Sequence, residues 1–230
     1  MKLLATDFDR TFFDNNNYYK NINYANRWRK EGNLFVIVTG RNIEYLLKDI
    51  KNTKLQYDYL ICNDGGIIFD NKLDVIYRKD ISRETSVAIA AIYEKSPCLS
   101  NWYIDTGTAI TNDKSCIANG LIGMFRDNCE ILKLLNDIRD RYKDIDGYMG
   151  GHWINITEKS VNKGSGIHKL ISLIGVNASD VYTIGDDIND VSMSDYDFNS
   201  FCMTNSIPEL KKKTKKSYTS VYKLIKDELK

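Results

Sequence analysis

Two aspartates follow directly on the first apolar run of the sequence. Asp7 and Asp9 come after residues 3–6, a run with the composition of a short buried strand. If the strand extends through them, its period of two places both carboxylates on the same side. Two carboxylates aimed at one site repel each other, so the pair needs a bound cation or a shared proton. The spacing also fits an acidic turn that solvent covers, and by itself it leaves both interpretations open.

Two further segments offer groups that bind anions. Thr39-Gly40-Arg41 follows an apolar run and supplies a hydroxyl, a backbone amide and the start of a helix. Lys163 opens a helical segment and has the charge to neutralise a phosphate or a carboxylate. Taken alone, the first also fits an ordinary strand-to-helix turn, and the second fits an exposed surface lysine.

A fourth segment concentrates metal-binding side chains. Asp186, Asp187, Asn189 and Asp190 lie within five residues at the end of a predicted strand. Hard oxygen ligands of this kind suit Mg²⁺, which is bound through carboxylates and water and tends to bridge to phosphate. The four segments together are complementary, because they supply carboxylates for a metal and then a hydroxyl and a lysine for an anion.

The predicted elements explain how these segments meet. Apolar runs predict strands over 3–6, 34–38, 59–62 and 181–184, and apolar periodicity predicts helices over 21–31, 43–50, 167–174 and 219–229. This alternation indicates right-handed βαβ units in a parallel sheet whose faces are covered. Ligands bind beyond the carboxyl ends of the strands in such sheets, which is where all four segments fall.

The pattern changes in the middle of the chain. It predicts hairpins over 67–78 and 101–111 and at the Gly150-Gly151 turn, with helices over 83–95 and 131–142. The predicted fold class is α/β, with a doubly wound, mainly parallel, Rossmann-like sheet core and an inserted α+β cap domain. The core comprises 1–81 and 158–230, and the insert comprises 82–157.

Composition excludes several classes of protein. Of the 230 residues, 43% are hydrophobic and 27% are charged, which is typical of a globular chain rather than a disordered one. The 32 basic and 31 acidic residues nearly cancel, so no global field attracts nucleic acid or a membrane. The longest apolar runs are far below the roughly 18 residues that span a bilayer. The five cysteines (62, 98, 116, 129 and 202) contain no C-x-x-C, and the first residues lack a secretory signal, so we expect a cytoplasmic protein.

The motifs, in their order and spacing, resemble those of the haloacid dehalogenase (HAD) superfamily of phosphotransferases, and most closely its Cof-like branch with a C2-type cap. The matching segments are Asp7-x-Asp9-x-Thr11, Thr39-Gly40-Arg41, Lys163 and Gly185-Asp186-x-x-Asn189-Asp190. Asn63-Asp64-Gly65-Gly66 is similar to the turn that leads toward the cap in this family, and 203–211 is similar to its C-terminal turn and helix.

The resemblance implies a role for each matching residue. Asp7 is the nucleophile that forms an aspartyl-phosphate, and Asp9 is first the general acid and then the general base. Mg²⁺ is held by Asp7, the backbone carbonyl of Asp9 and Asp186, with Asp190 in or near its shell. Thr39, Gly40, Lys163 and Asn189 position the phosphoryl oxygens. The implied activity is hydrolysis of a small phosphorylated metabolite, such as a sugar phosphate, phosphoglycolate or a cofactor phosphate.

The resemblance constrains the substrate contacts less than it constrains the catalytic residues. The family usually has glycine where this chain has Arg10, so Arg10 either points outward or reaches the substrate. Arg41 is a second candidate contact in the core. Candidates from the two cap hairpins are Trp102, Tyr103, His152 and Trp153, which equally fit packing between cap and core. Oligomeric state is not predicted.

Three other functions compete with this one. A phosphomutase on the same scaffold has the same motifs and differs only in how its cap controls water. A phospho-acceptor signalling domain also uses aspartates, a threonine, a lysine and Mg²⁺, but there an acidic pair lies on the first strand, before the acceptor aspartate. Five lysines at 211–213, 215 and 216 offer phosphate contacts to a nucleic acid. Without them the net charge falls from +1 to −4, so we expect no nucleic-acid partner and no membrane partner.

Overall fold

Two β-sheets with flanking helices make up the computed structural model, which describes residues 1–14, 16–126 and 130–228. The strands are β1 (Leu3–Asp7), β2 (Leu34–Val38), β3 (Tyr59–Cys62), β4 (Ile67–Asp70), β5 (Val75–Arg78), β6 (Leu99–Asp105), β7 (Ile110–Thr111), β8 (Gly120–Phe125), β9 (Ile145–Gly150), β10 (Trp153–Glu158), β11 (Val181–Gly185), β12 (Asn199–Met203) and β13 (Ser217–Tyr218). The helices are α1 (Tyr18–Lys30), α2 (Ile43–Ile50), α3 (Arg83–Lys95), α4 (Ile131–Arg141), α5 (Lys163–Ile174), α6 (Pro208–Lys213) and α7 (Val221–Glu228).

The larger sheet has eight strands in the order β13-β12-β11-β1-β2-β3-β4-β5. The pairings from β13 to β3 are parallel, and the β3–β4 and β4–β5 pairings are antiparallel. Alternate residues of β1 and β2 contribute to separate hydrophobic clusters on the two faces of the sheet. One cluster includes α1, α2 and α7, and the other includes α5, so helices cover both faces. The predicted doubly wound, mainly parallel fold class is confirmed.

The strand register sets the position of the chemistry. Asp7 pairs with Val38 and Thr6 with Ile184, so β1, β2 and β11 end at the same edge of the sheet. The side chain of Asn162 accepts a hydrogen bond from the Ser165 amide at 2.8 Å and caps α5, which begins with Lys163 at this edge.

The smaller sheet is antiparallel, in the order β7-β6-β8-β10-β9. Its strands fall within residues 99–158, and α3 and α4 pack with it around a separate hydrophobic cluster. Ile154 and Ile156 face this cluster, and the period of two along a strand places Trp153 and Asn155 on the opposite face. We call this sheet with its two helices the cap; its boundaries at 82 and 157 stay a prediction.

Most predicted elements are confirmed, and the differences have local causes. Helix α1 begins at Tyr18, three residues before its predicted start. Strand β8 was not predicted because two glycines interrupt its apolar pattern, and β12 because it begins with two polar residues. Among the described helices, none is long and apolar enough to cross a bilayer. No disulfide joins the cysteines in the described ranges. Asn15 of the predicted loop, Cys129 and the last residue of the predicted 219–229 helix lie outside those ranges.

Candidate active site

A buried lysine joins two buried aspartates at the carboxyl edge of the larger sheet. Lys163 Nζ lies 2.7 Å from Asp7 Oδ1 and 2.5 Å from Asp190 Oδ1. The Lys163 side chain is 1% exposed, and both aspartates are also buried. The other Asp190 oxygen accepts hydrogen bonds from the backbone amides of Asp186 and Asp187, at 2.7 and 3.0 Å. Strand β1, the start of α5 and the turn after β11 therefore converge on one charged cluster.

Burial and charge act in opposite directions on these groups. Burial raises the pKa of Asp7, and Lys163 opposes that rise. Burial by itself lowers the pKa of Lys163, but the charges of Asp190 and Asp7 raise it above its usual value. Lys163 therefore remains a cation, and its charge compensates the charge of one of the two carboxylates that it contacts.

A third carboxylate completes a group able to hold a metal ion. One oxygen from each of Asp7, Asp186 and Asp190 lies within 4.8 Å of the others, and all three residues are buried. Thr11 Oγ1 donates a hydrogen bond to Asp186 Oδ1 at 3.1 Å, which fixes this carboxylate. Burial raises the pKa of Asp186 to about 6, and the nearby Asp190 adds to the effect. Lys163 and Arg10, which contacts Asp186, bring two positive charges to these three carboxylates, so the oxygen donor set still fits a divalent cation.

The Asp9 carboxylate is paired with Arg41 and is not a member of this group. Arg41 donates to both of its oxygens, through Nε at 2.7 Å and Nη2 at 2.5 Å. The same guanidinium pairs with Asp49 and lies 5.1 Å from the centre of the Phe8 ring. Arg41, which we considered as a substrate contact, therefore orients the Asp9 carboxylate at the edge of the site.

Arg10 occupies an unusual backbone position beside the metal-binding group. Its φ of 59° lies in the left-handed region that favours glycine, which agrees with the glycine expected there. Its guanidinium lies 2.9 Å from Asp186 Oδ2 and also pairs with Asp187. The Arg10 side chain is 62% exposed, so most of it remains in solvent while its tip contacts a buried carboxylate.

Thr39 and Gly40 lie where β2 ends. Thr39 is buried, and its Oγ1 accepts a hydrogen bond from the Arg41 amide at 3.1 Å. A Cβ at position 40 would lie 3.0–3.1 Å from the Asp64 carboxylate and the Tyr148 hydroxyl. A side chain at position 40 would therefore require these cap–core contacts to shift by a few tenths of an ångström.

Asp64 joins the core to the cap. It is buried, with a left-handed φ of 54°, and its carboxylate accepts three hydrogen bonds. The donors are Asn189 Nδ2 at 2.8 Å, the Tyr148 hydroxyl at 3.0 Å and Asn155 Nδ2 at 2.8 Å. Burial, reinforced by the Asp64 charge, raises the pKa of Tyr148, so this hydroxyl stays protonated and donates.

Sequence reasoning did not assign this role to Asp64, because its partners lie 84 to 125 residues away in the chain. The signal available in the sequence was the Asn-Asp-Gly-Gly turn; in the structure, its residues 63, 64 and 65 all have a positive φ. Asn189, which we expected to bind phosphate, uses its amide hydrogens on Asp64 in this structure.

A cavity of about 820 Å³ lies between the cap and the core, lined by residues of both. The predicted site residues of the core border it: Asp7, Asp9, Arg10, Thr39, Gly40, Arg41, Lys163, Asp186, Asn189 and Asp190. The cap contributes side chains that include Asp105, Ile122, Tyr148, Met149, Trp153 and Asn155.

Trp102 and His152, expected as substrate contacts, do not line this cavity. Trp102 is buried in the hydrophobic cluster of the cap, because it lies on the face of β6 that α3 and α4 cover. His152 borders a separate cavity of about 250 Å³. Tyr103 is also absent from the lining, whereas Trp153 is present.

The lysines of the 211–216 segment make local contacts. Lys213 pairs with Asp195, Lys215 donates to Asn199 Oδ1, and Lys216 pairs with Glu228. Three of the five lysines therefore have partners within the protein itself.

The site combines a doubly wound core, an antiparallel cap sheet and an aspartate cluster bridged by Lys163. A profile of the haloacid dehalogenase-like hydrolases matches residues 4–121 and 114–223. The chain belongs to this family, and it is an enzyme, a haloacid dehalogenase-like hydrolase.

Curated relatives carry phosphatase names. A phosphoglycolate phosphatase of Picrophilus torridus is 25% identical over 213 residues, covering 92% of this chain and 82% of its own. The 5-amino-6-(5-phospho-D-ribitylamino)uracil phosphatase YwtE of Bacillus subtilis is 40% identical over 65 residues. That match spans only 28% of this chain and 23% of the relative.

Solved structures share the fold over nearly the whole chain. A haloacid dehalogenase-like hydrolase from B. subtilis superposes with a TM-score of 0.84 at 17% identity, covering 99% of this chain and 100% of its own. The HAD subclass IIB sugar phosphatase BT4131 superposes with a TM-score of 0.80 at 18% identity, covering 98% of each chain. At these identities the likeness extends to the fold alone.

Proposed function

We propose that this protein is a Mg²⁺-dependent phosphomonoester hydrolase that acts through an aspartyl-phosphate on Asp7. The observation that carries the proposal is the buried contact of Lys163 with Asp7 and Asp190, beside Asp186 at the carboxyl edge of the sheet. The physiological substrate is a small phosphorylated metabolite.

Covalent catalysis divides the displacement into two steps. Asp7 Oδ1 contacts Lys163, so Oδ2 is the oxygen that attacks phosphorus as the ester P–O bond breaks. Asp9 donates a proton to the leaving oxygen. In the second step Asp9 accepts a proton from the water that attacks the aspartyl-phosphate, which releases inorganic phosphate and restores Asp7. Arg41 orients the Asp9 carboxylate for both steps through its two hydrogen bonds.

Asp7, Asp186 and the backbone carbonyl of Asp9 would hold Mg²⁺, with Asp190 fixing the adjacent loop or completing the shell. The bound ion would neutralise charge on the phosphoryl oxygens, as phosphoryl transfer requires. Thr39, Gly40 and Lys163 border the same space and would supply further donors to those oxygens. Asn189 would join them only by exchanging its hydrogen bond to Asp64 for one to phosphate.

The names of the relatives indicate a range of candidate substrates. They include a phosphoglycolate phosphatase, a sugar phosphatase and a phosphatase of a phosphorylated ribitylaminouracil. We propose a substrate in this range of phosphomonoesters and a cytoplasmic location.

The test is a phosphate-release assay with p-nitrophenyl phosphate, run with and without Mg²⁺. We expect Asp7→Asn to abolish release. Asp9→Asn should still release about one equivalent of nitrophenolate, because this leaving group needs no proton, and should then stall as the phosphoenzyme. Arg27→Ala, a remote exposed variant, is the control. Full turnover by Asp7→Asn or by metal-free protein would refute the mechanism.

A further inference from the structure

We propose that the substrate is a phosphomonoester whose alcohol carries a planar aromatic or heteroaromatic ring, bound against Trp153 in the lining of the cavity. The inference rests on the proposed phosphatase activity and deepens it by naming the substrate class.

The lining of the cavity combines two kinds of side chain. Lys163, the acidic group and Thr39 suit a phosphate and a metal ion. The lining also includes apolar or aromatic side chains: Tyr45 of α2 and, from the cap, Ile110, Ile122, Met149 and Trp153. A ligand that contacts both kinds joins a phosphate to an apolar group.

Trp153 packs against the backbone of the β9–β10 hairpin and keeps an exposed surface. It pairs with Gly150 across the β9–β10 hairpin, and any side chain at position 150 would collide with its indole. The indole therefore lies against the hairpin backbone, while the residue remains 52% exposed and borders the cavity. Met149, which also lines the cavity, is exposed as well, so apolar side chains there remain uncovered. Aromatic rings favour offset stacking on such a surface.

The volume of the cavity favours a substrate larger than a triose. Pockets of about 300–1,000 Å³ enclose ligands the size of drugs. The 820 Å³ cavity lies in the upper part of that range, so a phosphorylated two- or three-carbon acid would leave the wall around Trp153 in water.

The experiment compares matched pairs of substrates that share a phosphorylated chain. D-ribitol 5-phosphate is paired with riboflavin 5′-phosphate, and ribose 5-phosphate with adenosine 5′-monophosphate. Phosphate release is measured with Mg²⁺ for the wild type, Trp153→Ala and Trp153→Phe. Leu132→Ala is the control, because Leu132 is an exposed apolar residue of the cap outside the cavity lining.

We expect the ring-bearing member of at least one pair to have the higher kcat/KM. Trp153→Ala should lower that value by about tenfold through KM, a loss in the range of one aromatic contact together with its apolar area. It should leave the ringless member within about twofold, and Trp153→Phe should recover part of the loss.

Two different failures are distinguishable. Release without a preference for rings, or an equal effect of Trp153→Ala on both members of each pair, would overturn the inference and leave the phosphatase proposal standing. No release from any member, nor from p-nitrophenyl phosphate, would overturn the proposed function and the inference with it.

Discussion

Removal of the Arg10 guanidinium should strengthen metal binding. Arg10 contacts Asp186 at 2.9 Å, so it neutralises one carboxylate of the metal-binding group and repels an incoming cation. Two unit charges about 4 Å apart interact by roughly 4 kcal/mol at an effective dielectric constant near 20. The arginine side chain is 62% exposed, however, and solvent reduces such a pair to about 1 kcal/mol or less. One kcal/mol corresponds to about a fivefold change in a dissociation constant.

We therefore expect Arg10→Ala to lower the Mg²⁺ dissociation constant by about two- to fivefold. The assay is titration calorimetry on metal-free protein without substrate, at about 50 and 500 mM salt. The effect should shrink at high salt, because the Debye length falls below about 10 Å. Arg27→Ala removes the same charge at a remote exposed site and should leave the constant unchanged.

The backbone gives a second, separate signal at this position. Arg10 has a φ of 59°, and a left-handed conformation costs a residue with a Cβ roughly 1–2 kcal/mol. Arg10→Gly should therefore unfold at higher urea concentration than Arg10→Ala, although both lose the guanidinium. An unchanged or weaker Mg²⁺ affinity in both variants would refute the view that Arg10 opposes the metal.

Three further predictions concern stability. Lys163→Met leaves two buried carboxylates uncompensated and should lower the free energy of unfolding by about 3–5 kcal/mol in urea, partly recovered with Mg²⁺. Lys213→Met breaks an exposed pair and should cost less than about 1 kcal/mol; an equal cost would contradict the assigned burial. Asp64→Ala leaves three donors without an acceptor and should speed hydrogen exchange in β9 and β10; unchanged exchange would show that this contact does not hold the cap. Burial raises the pKa of Asp186 to about 6, so between about pH 4 and 6 the metal-free folded protein holds a proton that the unfolded chain has released. The stability of the wild type relative to Asp186→Asn should therefore fall as pH rises through this window, and a rise would show that the sign is wrong.

Much of the core was predictable because its signals are local. The apolar runs of β1, β2, β3 and β11 have the length of buried strands, and the stripe of α2 has the period of a helix. Once parallel strands are inferred, their carboxyl ends must share an edge, so Asp7, Thr39 and Asp186 were expected to meet. The structure places them there; the catalytic roles remain proposals.

The cap was predictable in outline only. Its hairpins and helices follow turn residues and periodicity, but the choice between Trp102 and Trp153 as the residue facing the cavity does not. Alternation puts residues of a strand on two faces, and only the packing of α3 and α4 determines which face is covered. The sequence therefore gave no basis for choosing between Trp102 and Trp153 as the substrate contact.

The sequence by itself determined most of the elements, the class of fold and the chemical groups available, because each depends on composition and period over a few residues. The tertiary structure decided the partners of those groups. Lys163 reaches Asp7 across 156 residues, and Asp64 reaches Asn189 across 125. Such pairs form because packing of the sheet and cap brings distant carboxylates and donors into a space with little water, where each charge needs a partner.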